Sequence, residues 1–249
     1  MPIEKSKRAV VMIPTCNEAD NIGRLVEEIH AIVPKLDMLV VDDQSPDGTA
    51  DVVRQQQKII PNLDLMVRSG PRGRGIAGIE GFRKCLERGY DFILEMDADF
   101  SHHPRFLPDF LDDIRYNDVV LGSRFILGGE DRDRGWIRTL ITMFANTYIR
   151  FWLNIHIRDC TSGYRAFRRE VLERIDLQST ISTGPSVVQE LLYKAVLSGF
   201  TVREIPIVFV DRKRGRSSFN RRIALQGFIM ILRLRYLFSK RDNRGIRHD

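Results

Sequence analysis

Apolar residues in this chain come in short runs, and between the runs they recur at helical spacing. Arg8 to Ile13 reads as a buried strand. Ile22 to Val33, apolar at Ile22, Leu25, Val26, Ile29 and Val33, reads as an amphipathic helix behind it. The alternation continues with a strand at Met38 to Val41 and a helix entered near Thr49, with Asp47 as its N-cap. A strand at Leu63 to Val67 follows, then the glycine-rich loop SGPRGRGIAG and a helix to about Arg88. Phe92 to Met96 and Asp118 to Leu121 are further strands. Beyond them come a mostly apolar helix at Ile137 to Leu153, an extended stretch at Tyr164 to Arg168 and a helix from Ser186 to Leu197. The last strand, Thr201 to Val210, contains Pro206, which predicts a sheet edge or a bend. Strands alternating with helices of this length predict an α/β fold with a mostly parallel sheet covered on both faces.

In such sheets ligands bind beyond the carboxyl ends of the strands. The first predicted strand ends at Pro14-Thr15-Cys16-Asn17-Glu18, the second at Asp42-Asp43 and the fourth at Asp97-Ala98-Asp99. Strand periodicity puts Asp97 and Asp99 on one side as the chain leaves the sheet. Two carboxylates there suit a hard divalent cation that fills its other positions with water and substrate phosphate. By spacing alone, a turn or N-cap before Pro104 accounts for the same two residues equally well. Carboxylates at several strand ends tip the balance toward a nucleotide and metal cleft. The loop GGEDRDRGW fits either a solvated loop or a flap over that cleft.

Composition narrows the class. The chain has 249 residues, 43% of them hydrophobic, enough for a full core and unlike a disordered protein. Cys16, Cys85 and Cys160 are odd in number and widely spaced, so neither a disulfide framework nor a zinc site is expected, and a reducing, cytosolic setting is. No apolar run has the length of a signal-peptide core or a membrane span. The net charge of +6 is uneven: from Arg212 onward 12 Lys and Arg stand against Asp242 and Asp249. The helix predicted over Arg221 to Lys240 carries a stripe of Leu225, Phe228, Ile229, Leu232 and Tyr236. Ile223, Met230, Leu234 and Phe238 lie on its far side. Packing on the domain covers one face of such a helix, and a bilayer interface covers the other.

Six ordered motifs carry a resemblance. They are IPTCNEADNI, VVDDQSPDGTA, MDADFSHHP, GSR, DCTSGYRAFRREVLE and EIPIVFVDRKRGRS, running from Val10 to about Ser218. Together they resemble the family-2 inverting glycosyltransferases of the nucleotide-diphospho-sugar transferase (GT-A) fold, and within them the dolichyl- or polyprenyl-phosphate mannose synthases. The resemblance implies a catalytic unit over residues 1–218 and a basic amphipathic helix and tail over 219–249. It implies that Pro14, Thr15, Glu18, Asp42, Asp43 and Asp97 bind the donor. Asp97, Asp99 and Ser101 would be the metal set for Mg²⁺ or Mn²⁺. Arg124, Arg138, Thr142, Arg212 and Arg216 would receive the lipid phosphate, with Asp99, Arg124 and Arg212 catalytic. The chain departs from the family pattern at Cys16, where a tyrosine is usual, at Val188, where the helix motif has glutamine, and at Ser218, where a lysine often stands.

The chemistry expected is transfer of a hexose, mannose from GDP-mannose first, to a polyprenyl phosphate at the cytoplasmic face of a membrane. A separate membrane subunit stays open as a partner. An acceptor that is already anionic needs orienting cations more than a general base, which fits an arginine-rich site. His102 and His103 read as loop structure, with His102 the nearer to the donor. UDP-glucose or another donor is the alternative within the same chemistry. A phospho-acceptor domain with a nucleic-acid-binding tail is the alternative of another class. It is disfavoured because the acidic groups sit at three strand ends and the tail lacks a base-reading helix. An inactive binding module is a third alternative, opposed by the retained Asp97, Asp99, Arg124 and Arg212.

Overall fold

The structure is a computed structural model, and it describes residues 7–133, 135–210 and 221–245. The first strand, β1 (Ala9–Thr15), shows why the period-two pattern matters. Val11 and Ile13 enter one core with Ile22, Leu25 and Ile29 of α1 (Ala19–Ile32). Val10 and Met12 enter a second core with Ala77 and Phe82 of α3 (Arg74–Glu87). A strand buried on both faces is continuously apolar, as this run is.

The element order continues through β2 (Asp37–Asp42), α2 (Thr49–Gln56), β3 (Leu63–Val67) and β4 (Phe92–Glu95). A 3₁₀ turn (Pro104–Phe106) and α4 (Leu107–Asp113) lead to β5 (Val119–Ser123). Next come β6 (Glu130–Arg132), α5 (Trp136–Leu153), β7 (Arg165–Arg168), α6 (Arg169–Arg174) and α7 (Val187–Leu197). The chain closes with β8 (Val202–Pro206), β9 (Val208–Val210) and α8 (Arg221–Gly245).

Among the described residues, seven strands form one sheet in the order β3-β2-β1-β4-β7-β5-β8. The β1–β2, β2–β3, β1–β4 and β5–β8 pairs are parallel, while β7 runs antiparallel between β4 and β5. The carboxyl ends of β1, β2, β4 and β5 therefore share one edge. The amino end of β7 joins them there, because it alone runs the other way.

Three expectations need correction. The predicted strand over Thr201 to Val210 is broken: β8 is the edge strand of the main sheet and ends at Pro206, and β9 pairs instead with β6 in a separate small sheet. A proline that cannot donate ends the main-sheet ladder where the chain must turn away. The charged segment GGEDRDRGW is not loop throughout, since its Glu130–Arg132 stretch is β6. Asp47 does not occupy the N-cap of α2; Gly48 does, with φ 88°. Asp47 sits one residue earlier, where its carboxylate accepts from Thr49 N at 3.0 Å and from Ala19 N at 3.0 Å, tying the starts of α2 and α1 together.

The helix α8 packs on the rest of the chain. Its Ile231 and Leu234 are buried with Ile149 and Leu153 of α5 and with Leu192 and Tyr193 of α7. Tyr148 of α5 donates from its hydroxyl to Phe228 O at 3.3 Å. The stripe of Leu225, Ile229, Leu232 and Tyr236 faces away and is exposed.

Candidate active site

The sheet edge gathers the predicted carboxylates as expected. Thr15 lies opposite Asp42 in the β1–β2 register and Met12 opposite Glu95 in the β1–β4 register, so the three strand ends are neighbours. Pro14 is tolerated inside the strand because it lies beyond the last β1–β4 pair, where the ladder needs no donor on that side.

Asp42 and Asp43 are both buried and both bonded. Asp42 Oδ2 accepts from Ser45 N at 3.0 Å, and Asp43 Oδ2 accepts from Gly73 N at 2.8 Å. Asp43 also pairs with Arg68, whose guanidinium reaches Glu80 at 2.8 Å and 2.9 Å. These bonds tie the end of β2 to Ser45, to the turn before α3 and to Arg68 beyond β3. Glu18 stands at the rim, its backbone N–H donating to Thr49 Oγ1 at 2.9 Å and its carboxylate accepting from Asn21.

The D-A-D stretch leaves β4 in a tight turn. Phe100 takes a positive φ of 62°, which costs about 1 kcal/mol for a non-glycine residue. That turn lets Asp99 Oδ1 accept from Ser101 N at 3.1 Å and Ser101 Oγ at 2.5 Å. The Ser101 hydroxyl proton is thus spent on orienting Asp99. The Asp97 side chain is 37% exposed. His102 holds it from behind, since Nδ1 accepts the Asp97 N–H at 3.1 Å. Burial lowers the His102 pKa against the pull of Asp97 and Asp99, so the imidazole is neutral and serves as acceptor. It stacks on Tyr164, ring centroids 5.1 Å apart. His103 caps the following 3₁₀ turn, its Nδ1 accepting from Arg105 N at 3.2 Å. Both histidines are loop structure, as the sequence reading has it, and the helix cap that competed for Asp99 is supplied by His103.

Among the described residues no group of three or more His, Cys, Asp or Glu side chains could hold a metal by itself. Asp97 and Asp99 still fit a divalent cation whose remaining ligands are diphosphate oxygens and water, because hard cations of this size keep few protein ligands in such sites. Gly163, brought to this edge by the reversed direction of β7, completes the cradle. A Cβ there would stand 3.4 Å from Asp97 Oδ2 and 3.4 Å from His102 Cε1.

On the downstream side, Arg124 leaves β5 and is gripped by Asp159. Nε donates to Oδ2 at 2.7 Å, Nη2 to Oδ1 at 2.8 Å, and the Arg124 backbone N to Oδ2 at 3.1 Å. The bidentate face of the guanidinium is therefore taken by Asp159. Nη1 has no hydrogen bond among the described residues. Nη2 also donates to Thr161 Oγ1 at 2.7 Å, and Asn146 of α5 donates to the same Thr161 oxygen at 3.5 Å and to Thr142 O at 3.1 Å. Arg124 and Thr142 thus belong to one network. Arg138 lies one turn before Thr142, exposed, its carbonyl accepting from Thr142 Oγ1 at 3.0 Å. Arg212 and Arg216 fall outside the described residues.

The sequence reading missed four charged residues that organise this edge. Glu95 ends β4 with no exposure, paired with Arg165 at 2.6 Å and with Arg74 at 2.8 Å. Asp159 holds Arg124 as above. The signal was present: Glu95 interrupts the apolar run FILEM and Arg165 interrupts YRAF, and a charge in a buried strand must have a partner. Glu190, two residues after Val188 in the same helix motif, is also placed. It is buried on α7, accepts from Ile181 N and Ser182 N at 3.0 Å and 2.8 Å, and pairs with Lys194.

A mainly parallel sheet that carries Asp42, Asp43, Asp97 and Asp99 at the carboxyl ends of β2 and β4 is the arrangement of the nucleotide-diphospho-sugar transferase (GT-A) fold. The chain belongs to glycosyl transferase family 2, whose profile its residues 10–176 match, and it is a glycosyltransferase. It is 41% identical over 220 residues to the polyprenol monophosphomannose synthase of Mycolicibacterium smegmatis, covering 88% of this chain and 83% of that protein. It is 37% identical over 226 residues to the undecaprenyl-phosphate mannosyltransferase of Micrococcus luteus, covering 91% of this chain and 93% of that one. Among solved structures it resembles glucosyl-3-phosphoglycerate synthase from Mycobacterium tuberculosis crystallised with Mn²⁺, UDP-glucose and phosphoglyceric acid. The TM-score is 0.66 at 18% identity, covering 98% of this chain and 82% of that one, a likeness of fold.

Proposed function

We propose that this chain transfers mannose from GDP-mannose to a polyprenyl phosphate, with inversion, on the cytoplasmic surface of a membrane. The observation that carries the reading is the likeness over nearly the whole chain to two proteins named for mannosyl transfer to polyprenyl carriers. The geometry supports it at both ends of the reaction. Asp97 and Asp99 hold a divalent cation, Mg²⁺ or Mn²⁺, on the donor diphosphate, while Pro14, Thr15, Glu18, Asp42 and Asp43 form the donor side of the cleft. Bound there, the cation offsets the negative charge that develops on the departing diphosphate. The acceptor phosphate is already anionic and needs no general base. It is held by Arg124 through Nη1, with Arg138, Thr142, Arg212 and Arg216, and attacks the anomeric carbon on the side away from the diphosphate.

The membrane side of the reading rests on α5 and α8. No helix of the described residues is long and apolar enough to cross a membrane. Yet Trp136, Ile137, Leu140, Phe144 and Phe151 of α5 are exposed, and so are Leu225, Ile229 and Tyr236 of α8, an unusual number of large apolar side chains for two helices that pack on each other. Arg233 and Arg235 flank the α8 stripe and suit an anionic surface.

The test is a donor panel. The purified chain is incubated with undecaprenyl phosphate, Mg²⁺ or Mn²⁺, and radiolabelled GDP-mannose or UDP-glucose. Lipid-linked mannose from the first, abolished in Asp97→Ala, is the expected result. Transfer from UDP-glucose with none from GDP-mannose overturns the sugar assignment, and transfer from neither overturns the reaction.

A further inference from the structure

The first residue of α3 carries a guanidinium shared between two carboxylates of unequal exposure. Arg74 Nη1 donates to Glu95 Oε1 at 2.8 Å, and Nη2 donates to Asp97 Oδ1 at 3.2 Å. Glu95 has no exposure, and its other oxygen accepts from Arg165 Nη2 at 2.6 Å. Arg165 is anchored in turn by a 2.8 Å bond from Nη1 to Val188 O. An arginine side chain stays charged across the physiological range, so this is a permanent cation.

Its place is fixed from several directions. Asp43 accepts from Gly73 N at 2.8 Å on one side, and Thr183 O accepts from Gly75 N at 3.0 Å on the other. The segment carrying Thr183 is held by Glu190 through the backbone of Ile181 and Ser182. A Cβ on Gly73 would meet Thr183 O at 2.7 Å, and one on Gly75 would meet Ser182 O at 2.7 Å. Only glycine permits that backbone approach. Asp43 and Glu190, far apart in sequence, thus build one seat for Arg74.

Within this network the charges of Glu95 and Arg165 cancel, which leaves the charge of Arg74 to act on Asp97. A bare divalent cation approaching Asp97 is repelled by that guanidinium. A diphosphate brings negative charge that a metal and an arginine can share. We propose that Arg74 is a positioning residue that makes metal binding at Asp97 conditional on the donor. It holds the carboxylate while no diphosphate is present, and disfavours a metal ion arriving alone. This rests on the donor and metal reading given above.

Mn²⁺ binding to the purified full chain, followed by electron paramagnetic resonance with and without GDP, tests it. The wild-type chain binds Mn²⁺ weakly alone and more tightly with GDP. Arg74→Gln binds Mn²⁺ alone about tenfold more tightly, the scale of one nearby charge removed, and loses a similar factor of coupling to GDP. Arg74→Lys, which keeps the charge, stays near wild type. Arg74→Met, which keeps the aliphatic stem, gives the same reading should the glutamine variant not fold. Arg74→Gln or Arg74→Met binding Mn²⁺ alone no more tightly than wild type overturns the proposal. Failure of the underlying reading looks different: wild-type and Asp97→Ala chains then bind Mn²⁺ identically with and without GDP, and both ideas fall.

Discussion

Removing the Asp159 carboxylate tests how the acceptor side is built. The Arg124 and Asp159 side chains are 5% and 0% exposed, and they are joined by two side-chain hydrogen bonds of 2.7 Å and 2.8 Å. Asp159→Ala leaves the guanidinium buried without its counter-charge, a change that costs about 3–5 kcal/mol. For a chain of this size that lowers Tm by roughly 6–20 °C. Burial pushes the Asp159 pKa up, but the hydrogen bonds and charge of Arg124 outweigh it and hold the carboxyl below its ordinary value. The pair therefore stabilises the fold fully above the unfolded aspartate value of about 3.9, and the contribution is lost as pH falls through the lower folded value. The isosteric Asp159→Asn should show its whole deficit at pH 7 and a shrinking one below about pH 4. The double variant Arg124→Met/Asp159→Leu should regain most of the stability but none of the transfer. Urea and thermal melts across pH measure all of this. Asp159→Ala melting like wild type, or an Asp159→Asn deficit that grows as pH falls, would refute the reasoning.

Two glycines should separate fold from site. Gly75→Ala drives a methyl to 2.7 Å from Ser182 O, backbone on both sides, and should cost about 1–3 kcal/mol in denaturant unfolding. Gly163→Ala meets its nearest atoms at an ordinary 3.4 Å and should melt near wild type, while its methyl beside Asp97 weakens Mn²⁺-dependent GDP binding in calorimetry. For the membrane face, Ile229→Ser and Tyr236→Ser replace residues that are 57% and 61% exposed. They should reduce co-sedimentation with anionic vesicles and change stability by less than about 1 kcal/mol. They are cleaner than truncation after Ser218, which also strips Ile231 and Leu234 from the core they share with α5 and α7.

Local pattern alone determined much of this protein. The run at Leu63 to Val67 is β3 to the residue, and the helix at Ile137 to Leu153 is α5 less its first residue, because burial imposes a period that side chains record in order. The convergence of Thr15, Asp42 and Asp97 followed from parallel strands, whose carboxyl ends must share an edge. The seats of charge did not follow. Whether Asp43 faces a ligand or Arg68, whether the fork of Arg124 is empty or filled by Asp159, and whether Arg74 reaches Asp97 depend on residues 20 to 40 positions apart meeting in space. The direction of β7, which carries Gly163 to the carboxylates, is a choice of chain path that period-two alternation cannot express, since it reads the same in both directions. Sequence determines which groups are charged, and only the packed sheet decides which of those charges are spent on one another and which stay exposed.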